Sequence, residues 1–153
     1  MADNSQQSVL LEQYKSYVAD LGNIGSRYAT ANGFYLSIIS ALIAFIALTK
    51  KGESFETLRT AIQILVPLFA VLLCGVWFLT MRVYSSVFRA KFSVLRAMEV
   101  RLAFPTYESE DKKLREYGPR LISIERWVPL ILSLPFLVVL GHGVWLWARA
   151  KLA

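Results

Sequence analysis

Three runs without a charged residue punctuate the chain: Tyr28 to Thr49, Thr60 to Met81 and Trp127 to Ala148. At about 1.5 Å per residue each crosses the roughly 30 Å hydrocarbon core of a bilayer, so the pattern predicts transmembrane helices over 28–49, 60–81 and 127–148. Two amphipathic segments adjoin these runs. Ahead of the first, Leu10, Tyr14, Tyr17, Leu21, Ile24 and Tyr28 recur at steps of four and three, a heptad-type seam that predicts a helix over 8–27. Directly after the second, with no Gly or Pro between, Tyr84, Phe88, Phe92, Leu95, Met98 and Leu102 form one apolar stripe. The stripe predicts that the second span continues as a helix over 82–104, with a connector over 105–126. The expected fold is thus an all-α integral membrane protein, a single membrane domain over 1–153. It has three transmembrane helices, an N-terminal amphipathic helix and a cytoplasmic extension of the second span.

Within this outline individual residues carry further expectations. Met1 to Gln7 reads as a frayed polar start, and Gly22 and Gly25 weaken the first helix by up to about 1 kcal/mol each, enough for a kink there. The seam ending at Tyr28 is expected to pack on the stripe from Tyr84 to Leu102 rather than lie flat on lipid headgroups. Gly33, Ser37, Ala41 and Ala44 share one face of the first span, and small residues at this spacing let helix backbones approach closely in lipid. Asn32, at one end of that span, is expected to meet interfacial water. Ser54 and Thr57 in the short loop before the second span read as a helix start. Pro67 and Pro135 are expected to bend their spans without ending them. In the connector, Glu108 with Lys112 and Asp111 with Arg115 sit at i,i+4 in a short helix that Gly118 and Pro119 close. Trp127, Trp145 and Trp147 suit the two interfaces of the third span, and His142 reads as structural or interfacial.

Composition agrees with a membrane protein: 56% of residues are hydrophobic and 18% charged. The net charge of +6 does not point to nucleic acid, because Lys and Arg flank apolar spans as they do in proteins facing anionic lipid. The N-terminus lacks a basic region and reaches its first apolar run late, so it is not read as a cleavable signal. With three spans, Lys15, Arg27 and the basic residues from Arg82 to Arg126 fall on one side, a count of 12 against 5 on the other. That bias places the N-terminus in the cytoplasm and the C-terminus in the periplasm.

Chemistry is sparse. The single Cys74 lies inside the second span, and no metal-ligand cluster, phosphate-cradling loop or nucleophile–base pair can be assembled. No catalytic, cofactor-binding or metal site is expected, and the chain does not read as an enzyme. No carboxylate lies mid-span, which disfavours a proton-coupled transporter. Three spans do not enclose a pathway, so conduction would require a homo-oligomer.

Four segments resemble a family of small, uncharacterised bacterial three-span inner-membrane proteins. They are LEQYKSYV from Leu11, ATANGF from Ala29, KFSVLRAMEVRL from Lys91 with Pro105, and ERWVP from Glu125. The resemblance covers most of the chain. It implies a setting among prokaryotic conflict and anti-phage genes, and hence a membrane effector controlled by a cytoplasmic partner. Two functions of different class follow. In the first, the chain homo-oligomerises and permeabilises or depolarises the inner membrane when triggered, with contacts among Gly33, Ser37, Ala41, Phe88, Phe92 and Leu95. In the second it is a passive membrane anchor or adaptor that recruits a soluble cytoplasmic protein through Arg82 to Arg126.

Overall fold

The computed structural model of the protein describes residues 2–49, 59–102, 105–116, 124–125 and 127–152. The elements are α1 (Ala2–Thr49), α2 (Arg59–Glu99), α3 (Thr106–Glu116) and α4 (Val128–Leu152), and among the described residues there is no strand. α1, α2 and α4 each contain a stretch long and apolar enough to cross a membrane, within Gln6–Leu48, Ile62–Glu99 and Val128–Arg149. At 48 and 41 residues, α1 and α2 are about 70 and 60 Å long, roughly twice the apolar thickness of a bilayer. The protein is therefore an all-α integral membrane protein with three spans.

Helix boundaries depart from the sequence pattern in two places. α1 is one helix from Ala2 through Gly22 and Gly25, with neither a frayed start nor a break. Once a helix is nucleated each further residue adds a hydrogen bond, and a glycine raises the cost by only about 1 kcal/mol without removing that bond. α2 stops at Glu99, short of the expected 104. There the Arg101 and Leu102 N–H groups turn back to the carbonyls of Met98 and Glu99, at 3.1 and 2.9 Å, which tightens the last turn ahead of Pro105. Phe104, the helix start at Ser54 and Thr57, and the closure at Gly118 and Pro119 lie outside the described residues.

The chain forms two compact units, to both of which α1 and α2 contribute. One comprises Met1–Thr30 and Met81–Glu125, the other Ala31–Thr80 and Arg126–Ala153. In the second unit Ile39, Ala70, Cys74 and Phe136 form a buried cluster, with Leu42, Ile46, Val71 and Leu73 packed against it. Trp77 is 4% exposed, and its indole N–H donates to Asn32 Oδ1 at 2.9 Å. Asn32 thus serves a buried indole rather than interfacial water, because a desolvated donor needs an acceptor. Tyr35 stacks on Trp77 at 5.7 Å, with its hydroxyl 3.3 Å from that of Thr80. α4 packs closely on α2 at Gly143, where an added Cβ would lie 3.2 Å from the Gln63 carbonyl oxygen. Large side chains such as Phe34, Leu65, Phe69, Leu72, Ile131 and Val138 remain exposed, as expected where lipid is the solvent.

Candidate functional site

In the first unit the α2 stripe finds its partners within the chain. Leu95 is fully buried, and Tyr84, Phe88, Phe92, Met98 and Leu102 are half-buried. Tyr28 of α1 sets its ring edge-on to Tyr84 and Phe88, at 5.5 and 5.9 Å, and Tyr107 of α3 does the same to Phe92 at 5.8 Å. The stripe residues, read from sequence as an interaction surface, are thus largely consumed inside the unit. An aromatic pair of this geometry adds about 0.5–1.5 kcal/mol beyond its buried area, which favours covering the stripe locally over leaving it for another molecule.

Polar joints pin the same helices together. Glu99 is 2% exposed. Its Oε1 accepts the Tyr14 hydroxyl at 3.0 Å and the Tyr107 N–H at 2.9 Å, while Oε2 accepts the Glu108 N–H at a longer 3.4 Å. The carboxylate therefore caps the N-terminus of α3, where backbone donors lack intrahelical partners and the helix dipole favours negative charge. Lys91 pairs with Asp20 and lies 4.5 Å over the ring of Tyr17, so one ammonium joins α2 to two residues of α1. Tyr28 donates its hydroxyl to Glu125 at 2.6 Å. Arg96 and Asp111 pair at 2.8 Å, and Lys112 pairs with Glu108 at 2.9 Å. That bond to Lys112, together with its charge, holds the Glu108 carboxyl below its ordinary value. Burial pushes the Tyr107 phenol up, helped by the charges of Glu110 and Glu99.

Sequence reasoning anticipated the i,i+4 pair of Glu108 with Lys112 but did not single out the joints between helices. Glu99 and Lys91 fall in KFSVLRAMEVRL, Tyr14 and Tyr17 in LEQYKSYV, and Glu125 in ERWVP, so each segment was in view without its partner. One signal was available. Glu99 lies four residues after Leu95, within the turns that carry the apolar stripe, and an acid there demands donors from another element.

The residues expected to mediate helix association behave differently. Gly33, Ser37, Ala41 and Ala44 are all exposed, and nothing lies within 4 Å of a Cβ built on Gly33. At 3.6 residues per turn they point away from Ile39, Leu42 and Ile46, the side of α1 that packs in the second unit. The Ser37 hydroxyl is satisfied by the Gly33 carbonyl at 2.8 Å, so this face presents no unmet polar group to an apolar surrounding. In the first unit Glu12, Ser16, Ala19, Asn23, Ser26 and Thr30 are likewise exposed at steps of four and three, opposite the aromatic seam. Only 6% of the most apolar stretch of α1 is buried against the rest of the chain, against 28% for α2. One side of α1 is thus left open, built of small residues from Gly33 to Ala44.

No curated protein and no solved structure matches the chain. A family model does, and it spans both the polar joints and the open side of α1. Matched over residues 11–145, the chain belongs to the octameric membrane protein family (8xMP).

Proposed function

We propose that this chain closes into a ring of identical copies in the bacterial inner membrane, and that the ring permeabilises or depolarises that membrane when triggered. The observation that carries this reading is the open side of α1. Gly33, Ser37, Ala41 and Ala44 are exposed, with the Ser37 hydroxyl bonded back to Gly33, and small residues in such a row permit the close backbone approach on which helix association in lipid depends. The family's description as octameric supports eight copies. A ring needs a head-to-tail contact between two different surfaces of each copy, and closure at a fixed number follows from the angle of that contact. Leu95 is fully buried within its own chain, which leaves the half-buried stripe residues Phe88 and Phe92 to join the small face of α1 in such contacts. The excess of Lys and Arg between Arg82 and Arg126 supports a cytoplasmic N-terminus and a periplasmic C-terminus. The resemblance of the segments around Tyr14, Asn32, Glu99 and Glu125 to bacterial conflict proteins supports a role in anti-phage defence.

Native mass spectrometry of the protein in nanodiscs tests the assembly, with a single species of eight subunits as the expected result. Gly33→Leu together with Ala41→Leu should shift that species to smaller ones. A monomer or dimer for the unaltered chain would remove the ring. Liposomes holding a potassium diffusion potential test the second half of the reading. An intact ring that leaves the potential unchanged under every trigger tried would return the protein to the class of membrane anchors that recruit a soluble partner.

A further inference from the structure

Helix α3 is attached to one face of α2, and the attachment is of an unusual kind. Phe92, Arg96 and Glu99 follow one another at steps of four and three, so they share a face of α2. Each holds a different part of α3. Phe92 meets the ring of Tyr107, Arg96 pairs with Asp111 at 2.8 Å, and Glu99 takes the N–H groups of Tyr107 and Glu108. α3 itself, TYESEDKKLRE, is 11 residues long and strongly polar. Helices of that length are marginal on their own in water. It has little apolar surface to bury, since Leu114 is 53% exposed and only Tyr107 contributes a ring to the contact. By contrast, α1 and α2 in the same unit meet along an aromatic seam with Leu21 and Leu95 buried.

We propose that α3 is a releasable strap, latched by Glu99, that undocks as a unit while α1 and α2 stay paired. Release breaks the Phe92–Tyr107 ring contact, the half-exposed Arg96–Asp111 ion pair, the cap on Glu99 and the side-chain hydrogen bond between Tyr14 and Thr106, and it uncovers Phe92. It leaves the Tyr14 hydroxyl on Glu99 Oε1, the oxygen that also accepts the Tyr107 N–H. Tyr14 is thus a positioning residue: it holds the carboxylate in the geometry that recaptures α3. Undocking also strips Glu99 of its backbone donors, so the released state has an exposed acid and an aromatic ring on one face of α2, a surface that the closed state conceals.

Hydrogen exchange of the full chain in nanodiscs, resolved by mass spectrometry, tests this. Amides of 107–112 should exchange about tenfold or more faster than those of 84–95, the signature of a sub-global opening. Glu99→Ala should speed exchange over 107–112 by about another tenfold while leaving 84–95 unchanged, as expected for loss of a charged acceptor. Arg96→Gln, on a side chain already half-exposed, should give a smaller acceleration confined to the same segment. Tyr14→Phe should do the same without opening the α1–α2 seam. Equal exchange rates in α3 and α2 of the unaltered protein would overturn the strap. So would equal acceleration of both segments, or wholesale unfolding, in Glu99→Ala, because Glu99 would then be a core residue of the unit and not a latch.

Discussion

In the first unit the helices meet through edge-on rings and buried or half-buried charges, whereas in the second they meet through apolar residues, the stacked Tyr35–Trp77 pair and neutral hydrogen bonds. Glu99, Asp20 with Lys91, and Glu125 all belong to the first. The second uses Asn32 with Trp77, Tyr35 with Thr80, and the approach of α4 to α2 at Gly143. The difference follows from the solvent each surface faces. Where water competes, burying an aromatic seam supplies the drive, and charges are retained only where partners satisfy them. Where lipid is the solvent, apolar contact alone gives little preference for one helix over a lipid tail, ionised groups are costly, and close backbone approach with neutral hydrogen bonds takes over. Within the second unit two glycines differ: Gly143 is covered by its own chain, while Gly33 is open.

Substitutions at matched positions would break this comparison. Leu95→Asp should be the most severe, because it places an unpaired carboxylate at a fully buried position; a loss of about 3–5 kcal/mol is expected. Val94→Asp, at a residue 44% exposed, should change stability by less than about 0.5 kcal/mol. Denaturant titration monitored by exchange over 84–99 separates the two, and similar losses would refute the packed stripe. Tyr28→Phe keeps the rings against Tyr84 and Phe88 but removes the 2.6 Å bond to Glu125, for an expected loss of about 1.5–3 kcal/mol in the same titration. Gly143→Ala forces a methyl group to within 3.2 Å of the Gln63 oxygen and should cost about 1–2 kcal/mol in thermal unfolding. Gly33→Ala, which meets nothing in its own chain, should stabilise α1 by about 0.5–1 kcal/mol as an open helical glycine does, while its effect on the contact between copies registers in the mass of the assembly. Gly22→Ala should stabilise α1 by about 0.5–1 kcal/mol, since α1 is helical there and no neighbour requires the space.

The smallest effect is one of pH. The Glu108 carboxyl is held below 4.5 by Lys112, so its ion pair stabilises the folded state above that value and is lost as pH falls through the depressed one. Relative to the intrinsic amide rate at each pH, exchange over α3 should therefore quicken on acidification below 4.5, with Glu108→Gln showing the lower protection already at neutral pH. Equal acceleration in both proteins would assign the effect to another group.

Much of this architecture follows from sequence periodicity. Three charge-free runs locate the spans, because a bilayer tolerates nothing else over that length, and repeats of three and four residues identify which side of α1 and α2 is apolar. The stripe from Tyr84 to Leu102 and the small face from Gly33 to Ala44 were both legible in that way, as faces. Periodicity says which side of a helix seeks cover; it carries no information about what provides it. The seam ending at Tyr28 was expected on the stripe, but only the tertiary structure decided that Tyr107 joins it there, that Asn32 bonds Trp77, and that the small face of α1 is left open. It alone brought Glu99 to Tyr14, 85 positions away. A buried carboxylate is stable only where donors converge in space, and convergence over such a separation is a property of packing, not of any local pattern.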